Sequence, residues 1–283
     1  VGHNFFPMII NSDERQWTWM DEGLNTFVQY LTEQEWDKKY PSKRGPAQHI
    51  VPYMSSDPTK MVPIMTNSES ILQFGNNAYA KAATSLNILR ETVMGRELFD
   101  FAFKTYAERW AFKHPTPADF FRTMEDASAV DLDWYWRGWY YTVDNVDIAL
   151  SELKWFKVNT NKPSDEAAMQ KVEDALSTDD IGTIREKDAP SSVVEKDESM
   201  RDFYDKKEPY SFSILDIEKY EAYNASLVPQ EALLLDSNTN YYELHFELLG
   251  GLVMPIIIEF EFEDGTTEVV RIPAEIWRKS NTT

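Results

Sequence analysis

The sequence predicts an α+β protein, a mostly helical first half followed by an antiparallel β module. One change of periodicity and one turn lead to this. Up to about residue 150, apolar side chains recur at the spacing of a buried helix face. From Val146 onward the spacing shortens toward that of a strand, whose side chains alternate between faces. Glu263-Asp264-Gly265-Thr266 then separates two apolar runs with the Asp-Gly pair that suits a hairpin.

Taken in order, a polar turn at Asn11-Ser12-Asp13-Glu14 precedes a long aromatic helix over 17–36, on which Trp19, Gly23, Phe27, Tyr30 and Leu31 fall near one stripe. Pro41, Pro46, Pro52, Pro58 and Pro63 forbid a long helix over 41–66 and predict an extended surface connection of the kind that edges a cleft. Helices resume over 78–93 and, after Gly95, over 97–112, where Leu98, Phe101, Ala102, Tyr106 and Arg109 suit an amphipathic pattern. Thr116-Pro117-Ala118-Asp119 opens the next helix with an N-cap, a proline at the first helical position and an acid where a capping box needs one. Trp134, Trp136, Trp139, Tyr140 and Tyr141 crowd into 134–141, a stripe that reads as core rather than as a ligand platform. Strands are expected at 148–158, 241–248, 254–262 and 267–272. Between them, 159–209 is polar and acidic, with short helices expected at 165–176 and around 215–227. The expected domains are therefore 1–145, helical, and 146–283, a β module with an acidic, partly helical insertion at about 159–240.

Composition narrows the function. With 9 Trp, 14 Tyr and 16 Phe in 283 residues the chain is too rich in large apolar groups for a disordered one. A formal charge of -20 argues against nucleic acid, which is gripped by clustered Lys and Arg. Cysteine is absent, so there are no disulfides, no thiolate nucleophile and no Cys-based metal site; a metal must be held by His, Asp or Glu. No apolar run is long enough to span a bilayer, and oligomeric state has no signature. The acidic, cysteine-free composition is compatible with a secreted or periplasmic bacterial enzyme.

Two residues have the chemistry and spacing of metal ligands. An H-E-x-x-H helix presents two His to zinc with the Glu as general base, and a Glu from a neighbouring helix completes a thermolysin-type ligand set. Val1-Gly2-His3-Asn4-Phe5-Phe6-Pro7 reads like the end of such a motif, with His3 as its second His and the first His and the Glu expected upstream of Val1. Eighteen residues separate His3 from Glu22, enough to finish one helix and return on another. The string Trp19-Met20-Asp21-Glu22-Gly23-Leu24-Asn25 resembles the W-x-x-E-G segment of the M1 family of zinc metallopeptidases, Tyr79-Ala80-Lys81 resembles that family's Y-x-K segment, and 120–128 resembles the stretch before its last catalytic-domain helices.

That resemblance covers 1 to about 142 well and the β region loosely, with no counterpart for the acidic insertion. It implies the C-terminal part of a thermolysin-like catalytic domain followed by an immunoglobulin-like β-sandwich module, incomplete at four strands where such a sandwich has about seven. It further implies one zinc ion held by His3 and Glu22, Tyr79 as the catalytic donor to the oxyanion, and an aminopeptidase acting on peptide substrates. Lys81 is a motif marker or ion-pair partner rather than a catalyst. Asp21 and Asp13 are possible orienters of His3, a solvated helix-start carboxylate being the simpler reading. His49, His114 and His245 read as surface or structural. Without the first zinc His and the general base, the chain alone is expected to be inactive and to hold zinc weakly. The alternative is a non-catalytic binding or scaffold protein with a peptidase-like fold.

Overall fold

A computed structural model describes residues 1–202, 208–236 and 239–283. The chain divides into two compact units, one formed by Val1–Glu152 with Leu244–Thr283 and the other by Leu153–Glu243.

The first unit is built on aromatic helices. Helix α1 (Glu22–Trp36) buries Gly23, Leu24, Thr26 and Phe27. It crosses a helical run over 75–94, in which α2 (Ala82–Ile88) is flanked by wider, π-type turns at Gly75–Lys81 and Leu89–Met94. Gly95, at φ +82, breaks the helix as its position suggests. Helix α3 (Arg96–Trp110) packs on α4 (Pro117–Ser128), and α5 (Asp133–Tyr141) follows. At the start of α4 the Asp119 carboxylate accepts from the Thr116 N–H and hydroxyl, both at 2.8 Å. Trp19, Phe27, Phe99, Tyr106, Phe120, Tyr135, Trp139 and Tyr140 are all excluded from solvent. Their rings meet edge to face, Trp19 on Tyr140 and Tyr106 on Phe120 both at 4.8 Å, and such pairs add about 0.5–1.5 kcal/mol each beyond burial.

One boundary differs from the sequence reading. The first long helix begins at Glu22, not at residue 17: Gln16 and Trp17 bond back to Asp13 O and a single tight turn, Thr18–Met20, follows. Tertiary packing accounts for this, because the turn delivers Trp19 into the rings of Phe120, Phe121 and Tyr140. The proline-rich 41–66 connection holds no long helix, as expected, but it is not extended over the surface: it forms short helical turns at Ala47–His49, Val51–Met54 and Pro58–Lys60, Tyr53 joins Ile50 and Met61 in a small apolar cluster, and Ile64 enters the main core.

Among the described residues the β module has four strands in two pairs. Strands β3 (Ile256–Glu261) and β4 (Thr267–Ile272) pair antiparallel, from Ile256 opposite Ile272 to Glu261 opposite Thr267. In their turn Asp264 accepts from Thr266 N at 2.9 Å and Gly265 takes φ +78. Strands β1 (Ile148–Lys157) and β2 (Asn240–Leu248) form the other pair, and the C-terminal residues extend it through mutual hydrogen bonds between Phe246 and Thr283. Leu252 and Met254 belong to the helical core, and 244–283 clusters with the first unit.

The second unit carries α6 (Pro163–Leu176), α7 (Ile181–Glu186), α8 (Val193–Lys196), α9 (Ile214–Ser226) and α10 (Pro229–Asp236). Helices α6 and α9 are the two that the sequence expects. No helix among the described residues is long and apolar enough to cross a membrane.

Candidate metal centre

The chain from Val1 turns back on itself before α1, and Asn25 pins the return: its side-chain amide donates to Phe6 O and to Asp21 O. This sets His3 against the start of α1. His3 Nδ1 lies 2.7 Å from Asp21 Oδ1 and Nε2 lies 3.6 Å from Glu22 Oε2. His3, Asp21 and Glu22 are the one group of metal-ligating side chains gathered this closely among the described residues, their donor atoms lying within 4.8 Å of one another.

The two carboxylates sit differently. Asp21 is buried, and burial pushes its carboxyl up to about 6, with the Glu14 hydrogen bond and the Glu22 charge adding to this and His3 opposing it. The short contact to Asp21 makes Nδ1 the protonated nitrogen and leaves the Nε2 lone pair facing Glu22. Asp21 is thus a buried partner of His3 and not the solvated helix-start acid of the simpler sequence reading. Asp13 turns away and caps its own turn, accepting from Arg15 and Gln16 N–H.

Tyr79 comes from the π-type turn before α2. Burial, a hydrogen bond to Glu22 and the charge of Glu22 push its hydroxyl up to about 12, with Arg44 opposing. It is therefore a neutral donor throughout the physiological range. The structure brings His3, Glu22 and Tyr79 together although 76 positions separate His3 from Tyr79.

Lys81 lies apart from this group. Its ammonium is buried and donates to Thr142 O at 3.1 Å. His114 meets Asn11 Oδ1 at 2.8 Å, His245 lies 3.8 Å from Glu152, and His49 is exposed beside Gln48; none joins the cluster. Arg44 is a neighbour that motif reading passes over, its guanidinium 4.5 Å from the Tyr79 ring centroid. No local pattern marks it, because the contact joins residues 35 positions apart.

The donor set fits zinc. Two ligands each about 2.1 Å from a tetrahedral ion stand roughly 3.4 Å apart, close to the 3.6 Å between His3 Nε2 and Glu22 Oε2. An imidazole oriented by a carboxylate, a second carboxylate and a phenol donor on a helical domain are the equipment of a metallopeptidase. Residues 1–139 match the Peptidase family M1 domain. Among its relatives, glutamyl aminopeptidase of Bos taurus is 28% identical over 156 residues, 51% of this chain and 16% of that protein. The glutamyl aminopeptidase of Homo sapiens gives the same figures, and that of Sus scrofa is 27% identical over 176 residues, 58% of this chain and 18% of that protein. The chain thus spans less than a fifth of the length of these relatives.

Proposed function

We propose that this chain carries part of the active site of an M1-type zinc aminopeptidase, an enzyme that hydrolyses the N-terminal peptide bond of peptide substrates. The observation that carries the reading is the 3.6 Å separation of His3 Nε2 and Glu22 Oε2 with the Tyr79 hydroxyl against the same carboxylate. The relatives' aminopeptidase names support the exopeptidase class.

His3 and Glu22 would hold the zinc, which when bound supplies a Lewis acid for a peptide carbonyl and a water of lowered pKa. Asp21 keeps the His3 proton on Nδ1, so that Nε2 stays available. Tyr79 retains its proton and, released from Glu22, donates to the carbonyl oxygen as that oxygen gains charge.

The 283 residues contain no H-E-x-x-H motif, and on this reading His3 and Glu22 have no first zinc His and no general-base Glu from such a motif beside them. The chain alone is expected to hold less than one equivalent of zinc by elemental analysis and not to turn over aminoacyl arylamides. Stoichiometric zinc with turnover would reject that. In the product of the whole reading frame, Glu22→Ala should lose zinc, and Tyr79→Phe should keep it while kcat falls by about 10²–10³-fold. Undiminished activity in both variants would reject the site assignment.

A further inference from the structure

The loop that carries Arg44 is held on both sides. On one, the buried Ser42 hydroxyl donates to Glu33 Oε2 at 2.6 Å and accepts from Gln34 Nε2 at 3.2 Å. On the other, Gly45 takes φ +107 against the ring of Tyr30, where a Cβ would lie 2.4 Å from the ring, and its carbonyl accepts from the buried Asn87 side chain at 3.2 Å. Arg44 is thus presented from a fixed backbone while its side chain is exposed. One face of the guanidinium rests on Tyr79, and its N–H groups have no carboxylate partner among the described residues.

Arg122, Arg137 and Arg185 likewise have no carboxylate partner among the described residues, and what sets Arg44 apart is its seat on the ring of Tyr79. Arg90, by contrast, is fully engaged by Asp100 and Glu91. Arg44 and Lys43 also line a cleft of about 410 Å³ that runs along α1 by way of Thr26 and Tyr30, and the Thr26 hydroxyl bonds to Glu22 O one turn from the candidate metal ligand. The acid lining the cleft, Glu33, already accepts from Ser42 and from Gln29 Nε2 at 2.8 Å, both neutral donors. The forked donor group of Arg44 stays open toward the cleft, a geometry that matches a carboxylate.

We propose that Arg44 is a specificity-determining residue whose guanidinium binds a carboxylate of the peptide substrate held at Tyr79. The proposal rests on the aminopeptidase reading for the position of the substrate, whereas the anion preference is a property of Arg44 itself. That carboxylate comes either from an acidic N-terminal side chain or from the C-terminus of a short peptide.

The test uses the zinc enzyme expressed from the whole reading frame and dipeptides whose scissile amide is replaced by a non-hydrolysable methylene-amine link. Calorimetry compares Glu-Ala-amide, Gln-Ala with a free C-terminus, and Gln-Ala-amide. One of the first two should bind at least about 10-fold more tightly than the third, the scale of one charge-assisted hydrogen-bonded pair, and the one that does so names the source of the carboxylate. Arg44→Ala should abolish the preference without changing the affinity for Gln-Ala-amide, and Arg44→Lys should keep part of it. No discrimination in the unmodified enzyme, or discrimination that survives Arg44→Ala, overturns the proposal. Hydrolysis of the corresponding natural peptides is scored separately. Preference without hydrolysis rejects the aminopeptidase reading and keeps Arg44, while hydrolysis without preference does the reverse.

Discussion

Burying the Lys81 ammonium against Thr142 O lowers its pKa from the ordinary 10.5 to about 8, and the Asp144 charge recovers only part of the desolvation cost. The sign of the resulting pH dependence follows from proton counting. Below pH 8 both folded and unfolded states carry the proton, and stability is flat. Between about 8 and 10.5 only the unfolded state carries it, so stability rises with pH. The rise is at most about 3 kcal/mol. Above pH 10 the buried Tyr106, Tyr135 and Tyr140, all with raised pKa, work in the opposite direction, so the usable window ends there. Urea midpoints should increase from pH 7.5 to 9.5 in the unaltered chain and stay level in Lys81→Met; parallel curves would show that Lys81 is not the group responsible. The same residue shows what a sequence discloses about a site. Tyr79-Ala80-Lys81 is recognisable as a motif, as are His3 and Glu22, because each belongs to a short pattern. The motif does not separate Tyr79, which reaches the candidate metal cluster of His3, Asp21 and Glu22, from Lys81, two positions on, which ties its helix to the end of α5. That division depends on which side of the helix each residue faces and on what the rest of the fold brings there. Arg44 and the burial of Asp21 were illegible for the same reason, being products of tertiary contact.

Among the helices, legibility followed periodicity. Helices α3 to α5 lie where apolar spacing and capping residues put them, because Gly95 and the Thr116–Asp119 pair are local causes of local boundaries. The start of α1 was missed because Trp19 is drawn out of helical register by rings more than 100 positions away. The glycine that follows Glu22 has a comparable long-range role. A Cβ on Gly23 would stand 2.6 Å from Ala82 Cβ and 3.1 Å from Ala78 O, so glycine sets how closely α1 approaches the helical run over 75–88. Glu22 sits on one side of that crossing and Tyr79 on the other. Gly23→Ala is expected to destabilise the protein by about 1–3 kcal/mol through overpacking, despite alanine's better helix propensity. It should also move Glu22 away from Tyr79, lowering kcat in the product of the whole reading frame. Chemical denaturation and steady-state kinetics on one preparation check both effects, and a more stable variant of unchanged kcat would contradict this account of the crossing.

Across the whole molecule, burial is distributed unevenly. The first unit encloses its aromatic residues, with Trp19, Phe27, Phe99, Tyr106, Phe120 and Tyr140 excluded from solvent. In the second unit α6, α7, α8 and α9 bury no side chain, and apolar groups such as Leu176, Ile181 and Ile214 are two-thirds or more exposed. Hydrophobic burial is the main term opposing chain entropy, so these helices should open at far lower cost than the core, and a protease that cuts opened chain reads that difference directly. Trypsin is therefore expected to cleave first at Lys171, Arg185, Lys187 and Lys196. Lys104, Arg109 and Arg122, on helices that pack on the aromatic core, should survive longer. After those first cuts the pieces containing 1–152 and 244–283 should remain associated without a covalent link, because Leu252 and Met254 sit in the helical core and Trp277 Nε1 bonds to Met254 O at 2.8 Å. Mass spectrometry of early digests, coupled to size-exclusion chromatography, reads both the order of cleavage and the association. Equal rates at the two sets of sites, or separation of the two pieces under native conditions, would mean that burial in the first unit is not what holds the chain together.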